Sequence, residues 1–83
     1  MTRDQIVAEL ERLAALLDVQ VRYERMGMLS GGLCRMGDST FLLVNKSLSL
    51  QSRIELLANE LRTLEWDKHF IKPEVRELLE EKP

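Results

Sequence analysis

The stretch at residues 39–45, which reads STFLLVN, decides how the rest of the chain is interpreted. Its aromatic and β-branched residues, with few polar ones between them, favour a strand that is central in a sheet or heavily covered. Gly37 and Asp38 directly before it predict a tight hairpin turn from a shorter strand at residues 33–36. We therefore expect this stretch to be the third and most apolar strand.

The residues before the hairpin predict one more strand and one helix. Val19, Val21 and Tyr23 alternate with polar residues, which is the period of a half-buried strand. Residues 26–32, which read MGMLSGG, contain three of the chain's four glycines and predict a loop or a bulged strand entry. Further upstream, apolar residues recur at helical spacing and predict an amphipathic helix over residues 3–17. Its stripe consists of Ile6, Leu10, Leu13 and Leu17.

The residues after the apolar strand predict two more helices. A second apolar stripe at helical spacing begins at Leu50 and predicts a helix that ends near Trp66. Pro73 suits the first turn of a short last helix. The element order is then α-β-β-β-α-α, and short links between strands favour a three-stranded antiparallel meander with the helices packed on one face. We expect a single small α+β domain over residues 1–83, because a chain of 83 residues is too short for two cores.

Composition excludes several classes of function. The formal net charge is −2, so there is no general electrostatic reason to bind nucleic acid or an anionic membrane. The chain has one cysteine, Cys34, which excludes an internal disulfide and any metal site made of several cysteines. A lone thiol without a secretory segment is typical of the cytoplasm, and we expect no nucleic-acid or membrane partner.

The second predicted helix carries a polar pattern that bears on function. Asn59, Glu60 and Thr63 occupy the positions at which a zincin helix carries His-Glu-x-x-His. As the polar side of a helix, Glu60 is expected to be solvated. The plain interpretation is therefore an ordinary amphipathic helix with one suggestive glutamate.

The pattern continues upstream of those three residues. An apolar strand ends in Asn45, a polar turn follows, and Arg53 stands five residues before Ala58. The whole segment, FLLVNKSLSLQSRIELLANEL, resembles the core of the ImmA/IrrE family of zincin-like peptidases. The resemblance covers about a quarter of the chain and implies a zincin-like fold.

The catalytic chemistry of that family does not transfer to this chain. Zinc hydrolases use two imidazoles one helical turn apart, whereas Asn59 and Thr63 provide an amide and a hydroxyl, which bind zinc poorly. Glu60 would be the general base, but a base without a metal-bound water has nothing to activate. The resemblance therefore implies an inactive relative, a pseudoenzyme without a bound metal or cofactor.

Two alternatives with chemistry remain open. A divergent metal-dependent hydrolase would use Glu60 with Asp67 and His69, the only histidine. A thiol redox module would use Cys34, whose neighbour Arg35 could activate the thiol. Strand alternation instead favours Cys34 as a small buried hydrophobic residue.

We expect a non-catalytic domain for protein interaction or regulation. A domain this small leaves a sheet face or edge uncovered, and such a surface favours self-association as a homodimer or binding of a protein partner.

Overall fold

A computed structural model of the chain describes residues 1–81 and confirms the predicted α+β class and element order. A short 3-10 turn, Trp66–Lys68, precedes the last helix. The helices and strands, in chain order, are α1 (Arg3–Leu16), β1 (Val19–Glu24), β2 (Gly31–Met36), β3 (Ser39–Asn45), α2 (Leu50–Leu61) and α3 (Pro73–Glu80).

The sheet is mixed, so the prediction of a purely antiparallel meander is wrong. The strand order is β1-β3-β2, with β1 parallel and β2 antiparallel to β3. In a meander β2 would be central, but β3 is the strand whose alternate side chains are fully buried, at Leu42 and Val44. Central placement lets β3 pair on both sides, which satisfies the backbone groups of the most buried strand. Residues 39–45 are nevertheless covered and central, which agrees with the expectation of a strand that is central or heavily covered.

The Asn45 side chain holds the short loop that connects β1 to β2 across the end of β3. After β1 the chain crosses the end of β3 before it begins β2. The Asn45 side chain is buried and donates from Nδ2 to the carbonyl oxygens of Gly27 (3.1 Å) and Leu29 (2.8 Å). Its Oδ1 accepts from the Ser47 backbone N–H at 3.0 Å. One amide therefore fixes both the crossing loop and the turn after β3.

The core lies between the sheet and the helices. α1 packs on β1 and α2, α2 packs on β2 and β3, and α3 packs on the two other helices. Thr2 begins α1 with a reciprocal capping box to Gln5. The fully buried large side chains are Leu10, Leu13, Leu42, Leu57, Leu61, Leu79, Val44 and Val75.

α2 is shorter than the sequence pattern predicts. It ends at Leu61, its cap is Arg62, and the chain then turns through bonds of 3-10 type, from Thr63 N–H to the Glu60 carbonyl oxygen and from Leu64 N–H to that of Leu61. Tight turns of this kind are common at helix ends. Within residues 1–81, no helix is both long and apolar enough to cross a membrane.

Candidate functional site

The carboxylate of Glu60 binds the backbone of the edge strand β2. Its Oε1 accepts a hydrogen bond from the Leu33 N–H at 2.9 Å. In the antiparallel pair, Leu33 lies opposite Leu42. Three positions further along β3, the Asn45 N–H donates to the Ser30 carbonyl oxygen, which makes Ser30 and Asn45 a hydrogen-bonded pair. Hydrogen-bonded and non-hydrogen-bonded pairs alternate along an antiparallel ladder, so Leu33 and Leu42 are a non-hydrogen-bonded pair and the Leu33 N–H points away from β3. Glu60 therefore satisfies a donor that the sheet leaves free, and the expectation of a merely solvated side chain is wrong.

The glycine pair at the start of β2 makes this contact possible. A Cβ atom on Gly32 would lie 2.8 Å from Glu60 Oε1, and one on Gly31 would lie 2.0 Å from the Leu43 carbonyl oxygen. Both glycines have positive φ angles, of 154° and 135°. Only glycine combines this backbone conformation with the close approach of the carboxylate and of the neighbouring strand.

The other two residues of the zincin-like pattern, Asn59 and Thr63, form hydrogen bonds to neighbouring groups of the same chain. Asn59 is exposed, and its Oδ1 accepts from Arg62 Nη1 at 2.7 Å. Arg62 also donates to the carbonyl oxygens of Leu78 and Leu79 at the end of α3. Thr63 lies beyond the end of α2 and donates its hydroxyl to the Glu60 carbonyl oxygen at 2.7 Å. Asn59 and Thr63 are therefore not two ligands on successive turns of one α-helix.

The structure does not bring the hydrolase candidates together. Asp67 lies in the 3-10 turn after α2, and His69 follows it as a half-buried residue. In the part of the chain that the structure describes, no three histidine, cysteine, aspartate or glutamate side chains are grouped so that they could hold a metal ion. Glu60, Asp67 and His69 therefore do not form such a group.

Cys34 lies on the sheet face away from the helices. Leu33 packs against the core, and strand alternation directs Cys34 to the opposite face, where it lies opposite Phe41 of β3. The expected alternation is therefore correct, but the thiol is half-buried on the uncovered face and does not belong to the core. Phe41 is itself half-buried, with the Arg22 guanidinium 5.4 Å from the centre of its ring.

A polar groove beside β1 is the feature that sequence reasoning missed. Its volume is about 760 Å³, and it lies between the second half of α1 and the face of β1 that carries Val19, Val21 and Tyr23. Its lining contains three carboxylates, those of Glu11, Asp18 and Asp38. No periodic pattern marks it, because its residues come from α1, the turn after it, β1, the hairpin turn and the start of β3.

Tyr23 lines this groove and contacts side chains of both α1 and α2. Its hydroxyl donates to the Glu11 carboxylate, and the Arg53 guanidinium lies 5.0 Å from the centre of its ring. Burial and the bond to Glu11 raise the pKa of Tyr23 to about 12. Arg53, part of the peptidase-like pattern, donates from Nη2 to the Leu48 carbonyl oxygen at 3.3 Å, while its buried Nε has no partner among residues 1–81. Its observed contacts thus position Tyr23 and the turn before α2.

Comparisons of the chain with protein families, with curated proteins and with solved structures found no match. The geometry therefore stands alone as the basis for a functional proposal. It combines a helix glutamate bound to a strand edge with an acidic groove along the opposite edge.

Proposed function

We propose that the chain is an interaction domain without catalytic activity of its own, which acts by self-association or by binding a protein partner. The observation that carries the proposal is the bond from the Leu33 N–H to Glu60. The only motif residue with catalytic chemistry is engaged in joining α2 to β2. A carboxylate oxygen that accepts from a backbone N–H is already engaged, which favours a structural role for Glu60.

The exposed surface supports the interaction part of the proposal. Met28 is fully exposed at the tip of the loop between β1 and β2, and its neighbour Leu29 is 67% exposed. Met36 on β2 and Phe70 before α3 are also exposed, at 62% and 82%. Methionine and aromatic side chains at such positions are typical of adaptable protein-binding surfaces.

A remote relation to zincin-like peptidases belongs to the same proposal. It is supported by Asn45 at the end of the central strand and by Glu60 facing the gap between α2 and the edge strand β2. In this hypothesis the ancestral metal ligands were replaced by Asn59 and Thr63, whose polar atoms now bond within the fold.

Two measurements test the proposal. Protein purified without a histidine tag should contain no stoichiometric zinc and should cleave no peptide library, with or without added zinc. Sedimentation equilibrium at micromolar concentration should show association above the 9.6 kDa of one chain, or affinity capture should recover a specific protein partner. Stoichiometric metal together with peptide cleavage that Glu60→Gln abolishes would refute the non-catalytic role.

A further inference from the structure

The free edge of β1 exposes a defined set of backbone groups. The Lys46 N–H donates to the Glu24 carbonyl oxygen at 3.0 Å, so the backbone of Glu24 points toward β3. In a parallel pair alternate residues bond to the neighbouring strand. The N–H and carbonyl groups of Val19, Val21 and Tyr23 therefore point outward, and no strand of residues 1–81 pairs with them. Such an edge is a template for an added strand.

The charges on this strand favour a second copy of the same strand as the occupant. We propose that two copies associate through antiparallel pairing of their β1 strands, with Tyr23 opposite Tyr23 of the second copy on a two-fold axis. This rests on the proposed function and specifies how self-association occurs. The pairing makes one continuous six-stranded sheet from two sheets of three strands.

This register is the one that matches opposite charges. With Tyr23 on the axis, Arg22 of each copy lies opposite Glu24 of the other, which gives two ion pairs on the uncovered face. Within one chain these two side chains are about half exposed and form an ion pair with each other at 3.7 Å, so the dimer exchanges one pair inside each copy for two pairs between copies. A shift that places Arg22 on the axis sets two arginines opposite each other, and one that places Glu24 there sets two glutamates opposite each other. Like charges directly opposite destabilise a strand pair.

The same register supplies a cation to the acidic groove. Arg25 follows β1 directly, is exposed, and makes no ion pair within residues 1–81. Extension of the pairing by one residue beyond the end of β1 places Arg25 opposite Val21 of the other copy, on the face where Val21 and Glu11 line the groove. Charge complementarity therefore selects one register on both faces of the sheet.

The helix above this edge leaves room for the second copy. Ala15 and Glu11 line the groove from α1, and Ala8 lies on the same side of the helix by its spacing. Both alanines are exposed, and their short side chains allow another helix to approach closely.

Charge reversal tests the interface without disturbing the core. Arg22→Glu and Glu24→Arg should each raise the dimer dissociation constant by about tenfold or more, since each turns two attractions into repulsions. The double variant restores both pairs and should regain most of the wild-type affinity. The matched control is Arg35→Glu on the opposite edge strand, which should leave the constant unchanged. Sedimentation equilibrium measures the four variants beside the wild type, and a dimer that tolerates both single reversals would overturn the proposed interface.

Disulfide trapping tests the register. Arg22→Cys and Glu24→Cys, each in a Cys34→Ala background, should cross-link rapidly when mixed and slowly alone, because residues 22 and 24 face each other at a non-hydrogen-bonded pair. Rapid cross-linking of either variant by itself would overturn the register. A wild-type protein that stays monomeric at all concentrations would instead refute self-association itself, so the two failures are distinguishable.

Discussion

Replacement of Glu60 by alanine is the sharpest test of how α2 is joined to β2. The variant removes the acceptor of the Leu33 N–H, which lies 2.9 Å from the carboxylate. Hydrogen bonds to charged groups contribute about 1.5–3 kcal/mol in general. At a sheet edge water can replace the lost acceptor, so we expect Glu60→Ala to lower the free energy of unfolding by about 1–1.5 kcal/mol.

Glu60→Gln separates the hydrogen bond from the charge. The amide oxygen can still accept from Leu33, so its destabilisation should stay near 0.5 kcal/mol, as expected when a neutral acceptor replaces a charged one. Glu55→Ala is the matched control, because Glu55 is exposed on the same helix and removal of its side chain should change stability by less than about 0.5 kcal/mol.

Urea unfolding and amide hydrogen exchange together decide this prediction. Urea unfolding gives the free-energy differences, and exchange at Leu33 reports the bond directly. The Leu33 amide should lose protection in Glu60→Ala and keep it in Glu55→Ala. If Glu60→Ala and Glu55→Ala behave alike in both measurements, the carboxylate does not hold the strand.

Three further predictions follow from buried or paired side chains. Leu13→Ala should lower stability in urea by about 2–4 kcal/mol, because a fully buried leucine loses both transfer energy and packing; a change below about 1 kcal/mol would mean that α1 is peripheral. The hydrogen bond from Arg12 holds the pKa of Glu9 below its ordinary value of 4.5. The ionised Glu9 therefore stabilises the fold above pH 4.5. The difference in unfolding free energy between wild type and Glu9→Gln should shrink as the pH falls below 4.5. A difference that is constant with pH would contradict this coupling. The chain's one tyrosine, Tyr23, should ionise near pH 12 in a phenolate absorbance titration. Stability should fall between about pH 10 and 12, since a raised pKa favours the fold only while the phenol keeps its proton. A midpoint near pH 10 in the folded protein would contradict the partial burial of the phenol and its bond to Glu11.

The fold class was predictable from the sequence because periodicity reports burial. Residues 39–45 carry apolar side chains on both faces of the strand, and that pattern predicted a strand that is central or heavily covered, as β3 is. The strand order was missed because it was inferred from the length of the links. The crossing loop is short, and it can pass over β3 because the Asn45 side chain holds it there. A single side-chain amide of this kind has no periodic signature.

The candidate site was predictable only in part for a similar reason. The spacing of Asn59, Glu60 and Thr63 was visible, but the partner of Glu60 depends on how α2 lies over β2 and on the backbone conformation of Gly32. The groove beside β1 combines residues distant in sequence. Such juxtapositions are properties of the tertiary structure.

The mixed order of the sheet also bears on how the chain assembles. β2 and β3 form a hairpin across a two-residue turn at Gly37 and Asp38, so their pairing closes only a small loop. β1 must instead find β3 from much farther along the chain, which makes its docking entropically slow. We expect the hairpin and α2 to form the folding nucleus, with substitutions in β1 changing the unfolding rate more than the folding rate. Until β1 docks, the β1-facing edge of β3 stays open, and β1 of another copy could occupy it, so a slow domain-swapped species is expected on refolding at high protein concentration.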